Sequence, residues 1–88
     1  MIIVATEQDK VKTKEEIKKE ISFNIRKYRK KKNITQEKLA DCADISYDFM
    51  RRIESSSGKC GFSVYTLYKL SLALDVTMDE LLDGKKEK

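Results

Sequence analysis

QEKLADCADISYDFMRRIE, from Gln36 to Glu54, reads as two short helices joined by a tight turn. Leu39, Ala40 and Ala43 set small and aliphatic side chains on one face of the first helix, Ile45 plugs the turn, and Met50 and Ile53 recur at i, i+3 on the second. Two helices that cross steeply over a short turn need a small residue at their closest approach, and Ala40 supplies it. With Met50 as origin and an advance of about 100° per residue, Ser46, Ile53 and Phe49 gather at about −40°, −60° and −100° and form the expected buried side. The opposite arc, roughly 60° to 200°, collects Tyr47, Asp48, Arg51, Arg52 and Ser55.

That outer arc carries hydrogen-bonding and cationic side chains near the start of a helix capped by Ser46. It suits the edge pattern and the charge of a DNA major groove. On an isolated helix the same arc would read as an ordinary solvated face; the turn and the first helix beside it favour a helix-turn-helix reader.

Working outward, Thr13 with Glu16 forms a capping box that starts a long first helix running to about Lys32. Its early turns, IKKEIS, either lengthen that helix or make a separate one. Asn33 and Ile34 form a turn, and Thr35 caps the next helix. Ser63 caps a fourth helix reaching about Leu74, Asp75 stands where a C-terminal glycine is common, and Thr77 with Glu80 forms a second capping box for the short helix MDELL. Residues 1–12 are expected to be a flexible N-terminal arm, 13–83 the folded domain, and 84–88 a basic tail.

On the first helix, Ile17, Ile21, Ile25 and Tyr28 form an apolar stripe, and Arg29 lies on it, eight residues after Ile21. A guanidinium in that position needs a partner. Glu54, at about 40° beside Met50 on the reading helix, is the candidate. The fourth helix has two apolar stripes. Val64, Leu67, Leu70, Ser71 and Leu74 are expected to face the core, while Tyr65, Tyr68 and Leu72 lie on another side. That second stripe is covered either by the N-terminal extension or by a partner, in which case Tyr65, Tyr68, Leu72, Met78 and Leu82 are the candidate dimer surface.

Composition agrees with a single small helical domain. The chain has 88 residues, no proline and three glycines, and no segment alternates long enough to indicate a sheet. The net charge of +4 favours an anionic partner, and the excess crowds one helix end at Arg26, Lys27, Arg29, Lys30, Lys31 and Lys32. Two readings of that cluster are open: cations offsetting a helix dipole, or a rim facing phosphates.

Catalysis has little support. The chain has no histidine; its two cysteines, Cys42 and Cys60, are eighteen apart and read as reduced and incidental. No metal site and no cofactor are expected, there is no glycine-rich phosphate loop, and no paired acids stand in a recognisable constellation. MIIVA is too short for a signal peptide or a span, so a cytoplasmic location without membrane association is expected.

IRKYRKKKNITQEKLADCADIS, then RRIE, then SVYTLYKLSLALDVTMDELL resembles the XRE family, the Cro and lambda-repressor type of helix-turn-helix domain, over Ile25 to Leu82, about two thirds of the chain. The resemblance implies an all-α, compact five-helix lambda-repressor-like fold, here with an N-terminal extension. It implies binding to double-stranded operator DNA, usually as a two-fold homodimer. Carried over, it gives Gln36 a grip on a phosphate, places Tyr47, Asp48 and Arg52 at base edges, and puts Lys59 on the DNA backbone. It also often pairs the positions of Arg29 and Glu54. With the outer arc added, the expected base-edge set is Tyr47, Asp48, Arg51 and Arg52. The expected phosphate set is Gln36, Ser46, Ser55, Ser56, Lys59 and Lys32.

Two departures stand out. Asp44 occupies a turn position usually held by glycine, so local strain is expected. The loop SSSGKCGF, 55–62, is about two residues longer than the common form. The expected function is a transcriptional regulator, a repressor inserting helix 46–54 into the major groove. Alternatives of the same class are an antitoxin with a toxin partner or a restriction-modification controller; from a different class stands a protein-interaction adaptor that keeps the helix-turn-helix scaffold but has lost operator binding, for which Asp48 is the best argument.

Overall fold

The computed structural model describes residues 11–55, 61 and 63–83. Ser56, Lys59, Cys60, most of the arm and the tail 84–88 lie outside the described residues. Five helices follow in order: α1 Lys14–Lys31, α2 Gln36–Ala43, α3 Tyr47–Glu54, α4 Val64–Leu74 and α5 Met78–Leu82. All are α-helices, so the fold is all-helical among the described residues.

Each helix begins on a hydroxyl. Thr13, Thr35, Ser46, Ser63 and Thr77 are extended, and each accepts from the backbone N–H three residues on. This satisfies one of the amides that a helix start leaves without a carbonyl. At Thr13 and Thr77 the glutamate at the third helical position reaches back to the cap N–H, at 2.8 Å in both cases, completing the box. The IKKEIS turns extend α1 rather than forming a helix of their own.

Three helices end alike. Asn33, Asp44 and Asp75 take left-handed backbone with φ of 60°, 57° and 59°. The next residue in each case sends its N–H back to the carbonyl five positions earlier: Ile34 to Arg29, Ile45 to Ala40 and Val76 to Ser71. Those three followers are Ile, Ile and Val, and all pack partly buried against the core. This is a Schellman closure with its apolar contact. Asn and Asp tolerate the left-handed region better than other side chains, which is how Asp44 fills a glycine position without changing the turn.

The core gathers Ile21, Ile25 and Tyr28 from α1, Leu39, Ala40 and Ala43 from α2, Met50 and Ile53 from α3, Leu67, Leu70 and Leu74 from α4, and Leu81 from α5. Helix α1 packs on α5 and α3, and α2 packs on both α3 and α4. Asn24 is 1% exposed, and its amide donates to the Leu81 carbonyl at 2.8 Å, tying the middle of α1 to the end of α5. Outside the core, the Lys12 ammonium is held above its ordinary pKa by its hydrogen bond to the Glu20 carboxylate.

Val64 corrects the sequence reading. It is 73% exposed instead of facing the core. It is the first residue of α4, and a helical side chain leans toward the N-terminus, so Val64 projects past the packed turns. Thr66 is buried in that first turn instead. Ser46 likewise is exposed and not part of the buried side of α3; its hydroxyl accepts from the Phe49 N–H at 3.0 Å. As a cap it precedes the helix, so the helical angle assigned to it does not apply.

Candidate nucleic-acid interface

Helix α3 has two unlike sides. Met50 and Ile53 are buried to within 1% of complete, and Phe49 is half-buried against the core. Tyr47 is 48% exposed, and the side chains of Asp48, Arg51 and Arg52 are 71%, 58% and 63% exposed. Four of the eight residues therefore turn outward on a helix with its other face locked.

The lock is polar as well as apolar. Glu54, the last residue of α3, is buried, and Arg29 Nε donates to its Oε2 at 2.6 Å while Arg29 Nη2 donates to its Oε1 at 3.0 Å. Arg29 Nη1 donates to the Ile34 carbonyl at 3.0 Å. One guanidinium thus joins α1, the turn before α2 and the end of α3. Gln36 Nε2 adds a hydrogen bond to Glu54 Oε1 at 2.9 Å. A buried carboxylate is tolerated when its charge is paired and its oxygens accept hydrogen bonds; Glu54 has a guanidinium partner, and both of its oxygens are acceptors.

Further up α1, Ser22 Oγ donates to the Ile53 carbonyl at 2.5 Å, and Arg26 Nη1 donates to the Glu54 carbonyl. Ser22, Arg26 and Arg29 follow i, i+4, i+7, one face of α1. Two of the terminal carbonyls of α3, which have no partner within their own helix, are taken by this row. Neither Ser22 nor Arg26 was singled out from sequence for this role. Their spacing is visible there, but the acceptors are main-chain oxygens, which residue identities do not mark.

On the outer side, Asp48 lies 3.4 Å from Arg52 Nε and 3.7 Å from Arg51 Nη1. Arg51 also lies over the Tyr47 ring at 5.8 Å, and Arg52 beside Phe49 at 5.7 Å. Gln36, Asp48, Arg51, Arg52, Glu54 and Ser55 line an open depression of about 330 Å³ between the start of α2 and α3. Tyr47, Asp48, Arg51, Arg52, Gln36, Ser46 and Ser55 are thus brought to one region of the fold around α3. Lys32 stands exposed at the end of α1, the residue after its last turn.

The second stripe of α4 is open. Tyr65, Tyr68 and Leu72 are 66%, 47% and 63% exposed, and Leu82 is 37% exposed. Met78 differs from that set, since it packs partly buried against the core.

A family model described as the Cro/C1-type HTH DNA-binding domain matches residues 24–87, and the chain belongs to that family. It is a DNA-binding helix-turn-helix protein. No curated protein matches the chain closely enough to count as a relative. No helix among the described residues is long and apolar enough to cross a membrane.

Proposed function

We propose that the chain is a sequence-specific transcriptional regulator, a homodimeric repressor in which each copy lays α3 along the major groove of a two-fold operator. The observation that carries this reading is the division of α3: Tyr47, Asp48, Arg51 and Arg52 face outward while Met50, Ile53 and Glu54 hold the opposite side against α1 and α2. Arginine matches the acceptor pair O6 and N7 of guanine, and a carboxylate can accept from cytosine N4. Arg51, Arg52 and Asp48 together carry one net positive charge, so the acid does not turn the surface against phosphates as it would alone.

The phosphate contacts are assigned to the surround. Gln36 opens α2, and its amide has a second N–H beyond the one on Glu54; the first turn of α2 presents backbone N–H groups beside it. Ser46, Ser55 and Lys32 flank α3, and Ser56 and Lys59 belong to the same set by position in the chain. The open α4 stripe of Tyr65, Tyr68 and Leu72 supports a second copy, because an exposed apolar face of that kind marks an interaction surface. A single eight-residue reading helix specifies too few base pairs alone, and two-fold pairing doubles them.

Selection of duplexes from a randomised pool, followed by sedimentation of the complex, tests this. The expected result is an inverted repeat carrying two copies of the chain. An asymmetric site of a few base pairs bound by one copy would refute the dimeric reading.

A further inference from the structure

We propose that Asp48 is a selectivity residue of the reading helix: its carboxylate holds Arg51 and Arg52 in the free protein and subtracts from their attraction to phosphate, so that arginine release is compensated only where base edges replace what the carboxylate supplied. The proposal rests on the DNA-binding reading above.

Asp48 stands in the first turn of α3, three residues before Arg51 and four before Arg52, both within 4 Å of its carboxylate. All three side chains are more than half exposed, so these pairs exchange readily with other partners. They are also the groups that first meet an approaching duplex. Each guanidinium also has an aromatic neighbour, Arg51 at 5.8 Å from the Tyr47 ring and Arg52 at 5.7 Å from the Phe49 ring.

On mixed-sequence DNA the arginines meet mainly phosphates. That contact gives up the attraction of Asp48 and brings the carboxylate itself toward phosphate oxygens, with nothing specific in return. At a matching site an arginine binds guanine O6 and N7 as a fork, and the freed carboxylate accepts from a cytosine amino group. The acid therefore weakens random binding more than cognate binding. Selectivity is a ratio of the two, and a repulsive element against the wrong partner raises it.

An acid at this position also complements the positive end of the helix dipole, a structural role that must be separated. Asp48→Asn removes the charge, whereas Asp48→Glu keeps both the charge and its place in the first turn. Each variant is titrated with a mixed-sequence duplex and with the site the wild type enriches from a randomised pool. Asp48→Asn is expected to bind the mixed-sequence duplex up to about fivefold more tightly, as befits an exposed ion pair. The gain should fade as salt rises, with no matching gain on the enriched site, so the ratio falls. Asp48→Glu, which keeps the charge, is expected to bind the mixed-sequence duplex as weakly as the wild type does; a gain there equal to that of Asp48→Asn would also overturn the proposal. Unchanged or weaker binding of Asp48→Asn to mixed-sequence DNA, or a parallel loss on both duplexes, would overturn the proposal while leaving the DNA reading in place. A wild type that enriches no site at all would overturn that reading and this one with it.

Discussion

Arg29 donates two hydrogen bonds to the carboxylate of Glu54, at 2.6 and 3.0 Å, with the two side chains only 13% and 1% exposed. The pair fixes the end of the outward-facing helix to the first helix, 25 residues away in the chain. Removing either partner leaves a buried charge without its counterion, which costs about 3–5 kcal/mol. Arg29→Ala and Glu54→Ala are each expected to lower stability by that order in chemical denaturation. The double variant should lose much less than the sum, because groups in direct contact couple by about 0.5–3 kcal/mol. Additive losses would show that the two side chains do not act as a unit.

Asn24 makes another tie between distant parts of the chain, from the middle of α1 to the Leu81 carbonyl. Asn24→Ala leaves that carbonyl without its donor in a buried site, at a cost of about 1–3 kcal/mol. The lower melting temperature should come with unchanged denaturant dependence. A variant as stable as wild type would mean that water replaces the amide.

Asp44 holds left-handed backbone at the end of α2, immediately before Ile45 and the cap of α3. Alanine pays the full steric cost of that region and glycine does not, so Asp44→Gly should exceed Asp44→Ala in stability by about 1 kcal/mol. This order is the reverse of what a helix interior gives. Equal stabilities would show that the turn relaxes out of the left-handed region.

How far the fold is legible in sequence can be seen at its helix ends. Caps are local: a Ser or Thr and the residue three positions on decide them, so Thr13, Thr35, Ser46, Ser63 and Thr77 can be read directly. Arg29 stands out because a charge on an apolar stripe demands an acid, and its register against Met50 narrows the choice. The rest of the lock is not local. Ser22 and Arg26 reach main-chain carbonyls of α3, and Gln36 turns to Glu54, which depends on where α2 begins relative to the end of α3. Val64 satisfies the helical period yet lies beyond its packing partners, since periodicity places a residue on a face without saying how far the neighbouring helix extends.

Arg52 and Lys32 are expected to differ in kind. Arg52→Ala should cost on the order of 1–3 kcal/mol on the enriched site and relax base preference locally. Lys32→Ala should weaken all duplexes alike and lower the salt slope by about one. Binding isotherms over a range of salt separate the two. Equal losses for Arg52→Ala on cognate and mixed-sequence DNA would remove it from the base-reading set.

Guanine N7 methylation protection on the enriched site tests most directly whether α3 reads the major groove, since N7 is exposed there and nowhere else on the base pair. Two protected patches are expected on one face of the duplex, their centres about 34 Å apart, one helical turn. The protection should weaken in Arg52→Ala. Protection confined to minor-groove positions, or a bound complex in which every guanine N7 stays reactive, would contradict the assignment of α3 as the reading helix.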